Sequence, residues 1–368
     1  MGVVAAAKTA SLSISMADYL ADPSRFSAVL DARSPAEYAL DHIPSAQSSP
    51  VLSDAQRVTV GTLDKQSSSF EAKRVGAALV ARNIADLLES PAFDQPRSWT
   101  PLVYCWRGGN RSGSLVHILR KIGWPALQLA GGYKAFRAQV MADLSTLPQT
   151  LQYLTVAGAT GTGKTRLLQA LAAQGAQVLD LEAIARHRGS VLGGMSEAQP
   201  TQKAFDTQVW AALRAFDAAK PVFVESESAK VGNVRVPEAL LTAMRASPCV
   251  QLRASQAQRV ALLCEEYKHF LQDTALLNTQ LARLTTAYGY ACVAAWQAQA
   301  AAGEWQALVA DLLVRHYDPA YQASLRRNYV QIDTAFNVDL LETKANDAQA
   351  AGWDFEGMAR DLLDTLSA

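Results

Sequence analysis

A cysteine loop is the first feature of the sequence that could carry out chemistry. Residues 105–112 read CWRGGNRS and lie between an apolar run and a stretch with helical spacing. Backbone N–H groups of such a loop, with the positive end of the following helix, can stabilise negative charge on the Cys105 sulfur. Residues 97–137 contain seven Lys and Arg residues and no Asp or Glu, which favours a thiolate and attracts anionic donors. We expect an exposed loop with a reactive Cys105; the alternative is a buried structural cysteine.

A second loop has the sequence of a phosphate-binding site. Residues 158–165 read GATGTGKT, which fits G-x-x-x-x-G-K-[ST], with a strand pattern before it and a helical pattern after it. Its glycines let backbone N–H groups converge on phosphate oxygens, Lys164 adds a positive charge, and Thr165 could place a hydroxyl on a metal ion. The predicted phosphate-binding residues here are Gly158, Gly161, Thr162, Gly163, Lys164 and Thr165. The motif predicts a phosphate without specifying the compound that carries it.

Two further polar segments follow the phosphate loop. Residues 222–227 read VFVESE, which places Glu225 and Glu227 at the end of a predicted strand. These carboxylates could hold a metal, orient water or bind a basic group; the alternative is a pair of solvated side chains. Arg186, His187 and Arg188 begin the cationic segment RHRGS at 186–190, which suits an anion but is also typical of a surface charge cluster.

Composition limits the class of protein. The chain has 368 residues, of which 49% are hydrophobic and 18% charged, so it can bury two cores. Lys and Arg number 34, as do Asp and Glu, so RNA binding would need local basic patches. The cysteines form no CxxC pair, so we expect no disulfide framework and no zinc or other metal site with cysteine ligands. We expect Cys249, Cys264 and Cys292 to pack in the hydrophobic core. We see no signal peptide or membrane span and expect a cytoplasmic protein.

The elements that must position these loops alternate between strand and helix. Predicted strands are 26–31, 101–105, 126–130, 151–156, 176–180 and 221–225. One predicted helix begins at residue 35, and three others cover 71–90, 111–122 and 164–173. Such alternation indicates parallel sheets covered on both faces. We predict an α/β domain at 1–140, a linker at 141–150, a second α/β domain at 151–250, and a mainly helical extension of it at 251–368, with a last helix after residue 352.

Several motifs resemble those of known proteins. The C-x-x-x-x-x-R loop resembles the active-site loop of rhodanese-type sulfurtransferases, as do LDARSPAEY at 30–38, DHIP at 41–44 and GGY at 131–133. A rhodanese-like domain joined to a P-loop domain is similar to the tRNA 2-selenouridine synthase family. Other matching segments are Arg57 with VGT at 60–62, YCWRGG at 104–109, HRGS at 187–190, ESES at 225–228, HYDP at 316–319, and Arg327 with Asn328. Two positions depart from the pattern: Asp41 replaces a glycine and Asp64 replaces a tyrosine.

The resemblance implies a two-stage exchange at the wobble 2-thiouridine of tRNA. Geranyl diphosphate first alkylates the sulfur, and selenium from selenophosphate then replaces the S-geranyl group. Cys105 would act in the selenium stage as carrier or nucleophile, and Arg107 and Arg111 would hold its anionic donor. The implied partners are tRNA, the two phosphorylated co-substrates and an enzyme that supplies selenophosphate; a role for Mg²⁺ is left open.

Three other interpretations stay open at this point. A P-loop kinase or ATPase with a rhodanese-like regulatory domain would turn over nucleotide without tRNA. A binding module would use the rhodanese fold as a scaffold around an inert Cys105. A thiosulfate sulfurtransferase would leave the second domain without a purpose.

Overall fold

The computed structural model describes residues 12–188, 197–267, 274–340 and 352–367, and the chain divides into two compact units between Asp143 and Leu144. Gly189 and Ser190 of the predicted cationic segment lie outside the described residues. Within the described ranges, no helix combines the length and apolar character needed to cross a membrane.

The first unit is built on a five-stranded parallel sheet. Its strands are β1 (Ser13–Ile14), β2 (Ala28–Asp31), β3 (Gln47–Ser48), β4 (Pro101–Tyr104) and β5 (Leu127–Leu129), and its helices are α1 (Met16–Ala21), α2 (Pro35–Leu40), α3 (Asp54–Gln66), α4 (Ser69–Leu88), α5 (Asn110–Ile122) and α6 (Gly132–Thr146). The strand order is β1-β5-β4-β2-β3, and every pair is parallel. The predicted α/β fold with a parallel sheet is confirmed.

The central strand of this sheet explains where the cysteine loop lies. β4 is buried along its whole length, as a parallel strand covered on both faces should be. The chain passes from β2 to the edge strand β3 and then returns as β4 on the other side of β2. The direction in which successive strands are added to the sheet therefore reverses between β2 and β4. Ligand sites of open α/β sheets lie at the carboxyl ends of strands at such a point, and Cys105 directly follows β4.

The second unit contains another five-stranded parallel sheet and a two-stranded antiparallel ribbon. Its strands are β6 (Gln152–Ala157), β7 (Gln177–Leu179), β8 (Pro221–Glu225), β9 (Lys230–Val231), β10 (Val234–Arg235), β11 (Cys249–Arg253) and β12 (Phe336–Asp339). Its described helices are α7 (Lys164–Ala173), α8 (Leu181–Ala185), α9 (Gln202–Ala215), α10 (Glu238–Ala246), α11 (Gln256–Glu266), α12 (Thr274–Ala282), α13 (Thr285–Ala301), α14 (Trp305–Leu312), α15 (Asp318–Asn328) and α16 (Phe355–Ser367). The sheet order is β12-β11-β6-β8-β7, with β6, the strand that feeds the phosphate loop, in the middle.

The structure adds to two of the sequence predictions. The segment 251–368 is mainly helical, but β12 also returns to the sheet and pairs with β11, and Phe355 and Met358 of α16 join the core around α7. Within the predicted linker at 141–150, α6 continues to Thr146. Pro148 follows in a short 3-10 turn, where its missing N–H group leaves no hydrogen bond unmade.

Candidate functional site

The Cys105 sulfur is held by two hydrogen-bond donors. The backbone N–H of Gly109 lies 3.3 Å from Sγ and the Ser112 hydroxyl lies 3.0 Å from it. Both groups come from the start of α5. Backbone donors were predicted for this loop, whereas a role for Ser112 was not. The loop after Cys105 is exposed, as expected, at Trp106, Arg107, Gly109 and Asn110. Cys105 itself is only 3% exposed, so the expectation of exposure is wrong for the cysteine.

The two arginines of the loop have different surroundings. Arg107 is exposed and forms no ion pair with any residue in the described ranges. Arg111 donates to Glu37, with Nη1 2.7 Å from Oε2, and Arg57 lies 3.1 Å from the same oxygen. Burial alone would raise the pKa of Glu37, but the Arg111 hydrogen bond and charge, a Ser34 backbone hydrogen bond and the Arg57 charge lower it. Of the two predicted anion ligands, Arg107 is the one without an acidic partner.

A buried ion pair lies at the carboxyl ends of β2 and β4. Asp31 is 0% exposed and Arg33 is 1% exposed, and Nη2 of Arg33 lies 2.6 Å from Oδ2 of Asp31. The Tyr104 hydroxyl donates to the same Oδ2 at 2.8 Å, while Arg33 also donates to the Asp41 carbonyl at 2.6 Å. The Asp41 carboxylate accepts from the Tyr133 hydroxyl at 2.7 Å. The aspartate that departs from the family pattern therefore joins this network, which fixes the strand ends next to the cysteine loop.

The phosphate loop connects β6 to α7, as the motif predicts. Gly161 has a φ of +82° and Gly163 a φ of +83°, a region that side chains other than hydrogen disfavour. Lys164 donates from Nζ to the Gly158 carbonyl at 2.8 Å, and the Gly158 N–H donates to the Tyr321 hydroxyl at 2.6 Å. A Cβ on Gly163 would overlap the Phe355 ring.

Further contacts fix this loop in place. The Thr162 hydroxyl donates to the Ala159 carbonyl at 2.9 Å. Arg259 donates from Nε to the Thr160 carbonyl at 2.8 Å and forms an ion pair with Asp318. Asp318 belongs to the HYDP segment, so one of the motif residues that carry the family resemblance stabilises the loop through Arg259.

Three carboxylates and the loop lysine share one cavity. Carboxylate oxygens of Glu182, Glu225 and Glu227 all lie within 4.8 Å of one another, and Lys164 Nζ lies 3.8 Å from Glu225 Oε1. The Thr165 hydroxyl lies 3.4 Å from Glu182 Oε2. The positions predicted for Glu225 and Glu227 are thus beside the phosphate loop. Glu182 was not predicted, although it follows the strand β7 that pairs with β8.

The charges of this cavity oppose one another. Burial and the neighbouring carboxylates raise the pKa of Glu182 to about 10, against the lowering effect of Lys164. Burial also raises the pKa of Glu225 to about 8, where Lys164 again opposes the shift. The pKa of Lys164 is raised, since the attraction of Glu225 and its neighbours outweighs burial. Negative charge in this cavity is therefore only partly compensated by the protein.

The cavity has an aromatic side as well as an acidic one. Its volume is about 350 Å³, and it lies between the phosphate loop, the carboxylates and a group of rings: Tyr267, His316, Tyr317, Tyr321 and Tyr329. The Tyr288 hydroxyl is 3.0 Å from Nδ1 of His316. The arrangement could hold the phosphate groups of a ligand at one end and an apolar or planar part at the other.

The residues of the cationic segment have different positions relative to this cavity. Arg188 lines it, with its guanidinium 5.0 Å from the centre of the Tyr267 ring. Arg186 is half exposed and lies 3.4 Å from Glu197. Burial lowers the pKa of His187. Of the three predicted anion-binding residues, Arg188 is placed at the cavity, and Arg186 is directed to a surface carboxylate.

Comparison with known proteins identifies relatives of both units. Residues 16–139 match a family model described as a rhodanese-like domain, and residues 151–289 match one described as the tRNA 2-selenouridine synthase AAA domain. The tRNA 2-selenouridine synthase of Hydrogenovibrio crunogenus is 30% identical over 348 residues, which cover 85% of this chain and 93% of that protein. The protein of the same name from Shewanella halifaxensis is 30% identical, with 80% and 87% covered. That of Nitrosomonas europaea is 33% identical, and the match spans 65% of this chain and 63% of that protein.

Proposed function

This chain belongs to the tRNA 2-selenouridine synthase family, and we propose that it replaces sulfur by selenium in the wobble 2-thiouridine of tRNA in two stages. In the first, the 2-thiouridine sulfur attacks C1 of geranyl diphosphate; a sulfur–carbon bond forms, the carbon–oxygen bond breaks, diphosphate leaves, and N3 of the base loses its proton. In the second, the Cys105 thiolate attacks C2, the bond between C2 and the geranyl sulfur breaks, and geranyl thiol leaves. Selenium from selenophosphate then attacks C2, and the bond between C2 and the Cys105 sulfur breaks. Water then cleaves the phosphorus–selenium bond and releases phosphate.

The observation that carries this proposal is the presence of both a hydrogen-bonded sulfur and a phosphate loop in one chain. A thiocarbonyl sulfur is a poor leaving group, whereas its S-alkyl derivative makes C2 electrophilic and departs as a thiol. Both co-substrates carry phosphate, which gives the phosphate loop a purpose without nucleotide hydrolysis.

In the first stage, the phosphate loop is the binding site for geranyl diphosphate. Backbone N–H groups of the loop and Lys164 would hold the diphosphate, and Arg188 at the cavity would add a second positive charge. The rings of Tyr267 and Tyr317, which line the same cavity, would contact the prenyl chain. No protein thiol is needed here, because the attacking sulfur belongs to the RNA.

In the second stage, Cys105 acts as the nucleophile that displaces geranyl thiol from C2 and is itself displaced by selenium. The Gly109 N–H and the Ser112 hydroxyl, at 3.3 Å and 3.0 Å from Sγ, would support a thiolate. Arg107 would bind the anionic selenium donor. Arg111 was predicted to share this role, but its hydrogen bond to Glu37 instead suits it to holding α5 in place.

A Cys105→Ala variant of the full-length chain tests the division into stages. Purified protein is incubated with 2-thiouridine-containing tRNA, geranyl diphosphate and selenophosphate, and the nucleosides are analysed by mass spectrometry. We expect S-geranyl-2-thiouridine to accumulate while 2-selenouridine is lost. Cys292→Ala is the matched control, since Cys292 packs at the edge of a helical core in the second unit and should leave both products unchanged.

Two results would contradict the proposal. Formation of 2-selenouridine at the wild-type rate in Cys105→Ala would exclude Cys105 from catalysis. Loss of geranylation in the same variant would show that the cysteine loop also serves the first stage. Nucleotide turnover by the wild-type protein without tRNA would favour the kinase or ATPase interpretation instead.

A further inference from the structure

The two groups that donate to the Cys105 sulfur are both in contact with one further side chain. Gln128 lies in β5, which pairs with β4, the strand that leads into the cysteine loop. Its amide nitrogen, Nε2, lies 2.8 Å from the Ser112 hydroxyl oxygen and 3.0 Å from the Gly109 carbonyl oxygen. A carbonyl oxygen can only accept, so the group of Gln128 that faces it is the NH₂ group, and both N–H bonds of that group are used on the loop. Gln128 is thus linked to the sulfur through Ser112 and Gly109.

These contacts determine where the Ser112 hydroxyl proton points. Two acceptors lie within reach of the Ser112 oxygen, the Cys105 sulfur at 3.0 Å and the Gly109 carbonyl at 3.3 Å. The carbonyl already accepts from Gln128 and from the backbone N–H of Gly113 at 3.0 Å, and these two bonds occupy both of its lone pairs. The hydroxyl proton is therefore directed to the sulfur.

The same arrangement favours the charged form of the sulfur over the thiol. A thiolate accepts the Ser112 hydroxyl proton and the Gly109 N–H, which lies 3.3 Å from Sγ. A thiol has a proton of its own to place, and the Gly109 carbonyl, 4.0 Å from Sγ, has no lone pair left to accept it. In a chain of hydrogen bonds that runs from an amide through a hydroxyl to an anion, each bond polarises the next and strengthens it.

We propose that Gln128 is a positioning residue for Cys105: its amide turns the Ser112 hydroxyl toward the sulfur and so increases the fraction of thiolate available for attack. The part that Gln128 plays in catalysis rests on the proposed function, in which Cys105 is the nucleophile of the second stage. Local sequence carries no signal of this role, because Gln128 lies 16 positions after Ser112 and is brought to the loop by the pairing of β5 with β4.

The rate at which iodoacetamide alkylates Cys105 measures the thiolate in the full-length protein, when it is read at the Cys105 peptide by mass spectrometry. Gln128→Leu removes both donors, and the rate at pH 7 should fall roughly three- to tenfold, the value of one hydrogen bond. Gln128→Glu should lower the rate further, because a carboxylate accepts the Ser112 proton and repels the thiolate. Gln66→Leu and Gln66→Glu are the matched controls, since Gln66 is exposed at the end of α3, and both should alkylate as the wild type does.

The pH profile of alkylation separates a lost donor from a disturbed loop. A lost donor moves the midpoint of the profile to higher pH and leaves the plateau at high pH unchanged, whereas a disturbed loop uncovers the buried sulfur and raises the plateau. Ser112→Ala gives a second test, because Gln128→Leu should have little further effect once the hydroxyl is absent. The proposal is overturned by a raised plateau without a shifted midpoint, by a wild-type profile in Gln128→Glu, or by a Gln128→Leu effect that is as large with Ser112→Ala as without it.

The alkylation test is independent of the two-stage reaction, since it uses neither tRNA nor selenophosphate. If Gln128→Glu shifts the alkylation profile but forms 2-selenouridine at the wild-type rate, Gln128 positions the thiolate as proposed and the second-stage role of Cys105 is wrong. If the profile is unshifted while 2-selenouridine formation falls, Gln128 acts in some other way and the proposal is overturned.

Discussion

The buried pair of Asp31 and Arg33 should dominate the stability of the cysteine-loop unit. An Asp31→Asn substitution keeps the shape of the side chain but removes the charge opposite Arg33, which is 1% exposed. In the wild type, Asp31 accepts from Arg33 Nη2 at 2.6 Å and from the Tyr104 hydroxyl at 2.8 Å. Removing one partner of a buried ion pair leaves an uncompensated charge and costs about 3–5 kcal/mol. We expect Asp31→Asn to lower the free energy of local opening of the sheet around β2 and β4 by this amount.

Native-state hydrogen exchange read by mass spectrometry is the suitable assay. The chain has two compact units, so a melting curve of the whole protein does not give a two-state free energy. Amides of β2 and β4 report the first unit, and amides of β6 and β11 serve as an internal reference in the second. Glu71→Gln is the control, because Glu71 forms an exposed pair with Arg74 and its loss should leave β4 exchange unchanged.

A second variant separates the charge from the packing. Adding Arg33→Met to Asp31→Asn removes the stranded cation, so the double variant should recover a large part of the lost stability. The reasoning is refuted if Asp31→Asn lowers the opening free energy of β4 by less than about 1 kcal/mol, the value of an exposed pair. It is also refuted if the double variant is no more stable than Asp31→Asn.

Three shorter predictions follow from the same structure. Lys164→Ala should weaken geranyl diphosphate binding by about 1.5–3 kcal/mol, roughly 10- to 150-fold, by calorimetry; unchanged affinity would exclude the phosphate loop. Glu37 has a pKa below its unfolded value, so its ionised form stabilises the fold above about pH 4.3. Glu37→Gln should therefore be less stable than wild type at pH 7, and the difference should vanish as the pH falls below 4.3; a constant difference would contradict this. Gly163 and Gly175 both have positive φ, but only Gly163 faces a ring, that of Phe355. Gly163→Ala should therefore lower the opening free energy of β6, read by hydrogen exchange, by about 1–3 kcal/mol more than Gly175→Ala does; equal effects of the two substitutions would contradict this.

Features that depend on local sequence could be predicted. The strand, loop and helix around Cys105 and around Lys164 follow from apolar spacing and glycine position, and both lie where the patterns place them. Helix α3 was missed, although Ser53 and Gln56 form a capping box at its start and offered a readable signal.

Features that depend on strand order could not be predicted in this way. Glu182 reaches the phosphate cavity because β7 pairs with β8, and no local pattern states that pairing. Likewise, β12 joins β11 across more than eighty residues of sequence. Arg111 and Glu37 are in contact although they are 74 positions apart in the sequence. The basic stretch 97–137 has no acidic residue of its own, but the fold brings Glu37 next to it.

The cysteine loop and the phosphate loop share a strand–loop–helix arrangement, but the charged groups around them differ in sign. Around Cys105 the loop offers a backbone N–H, a hydroxyl and the exposed Arg107, so an anion there meets donors and a positive charge from the protein itself. Around Lys164, burial and nearby carboxylates raise the pKa values of Glu182, Glu225 and Glu227, so ionising all three carboxylates at once is unfavourable. A helix end and Lys164 contribute about 1.5 positive charges, and Arg188 at the same cavity adds another. An entering diphosphate therefore meets positive charge from the loop side, while the raised pKa values of Glu182 and Glu225 reduce the negative charge that opposes it.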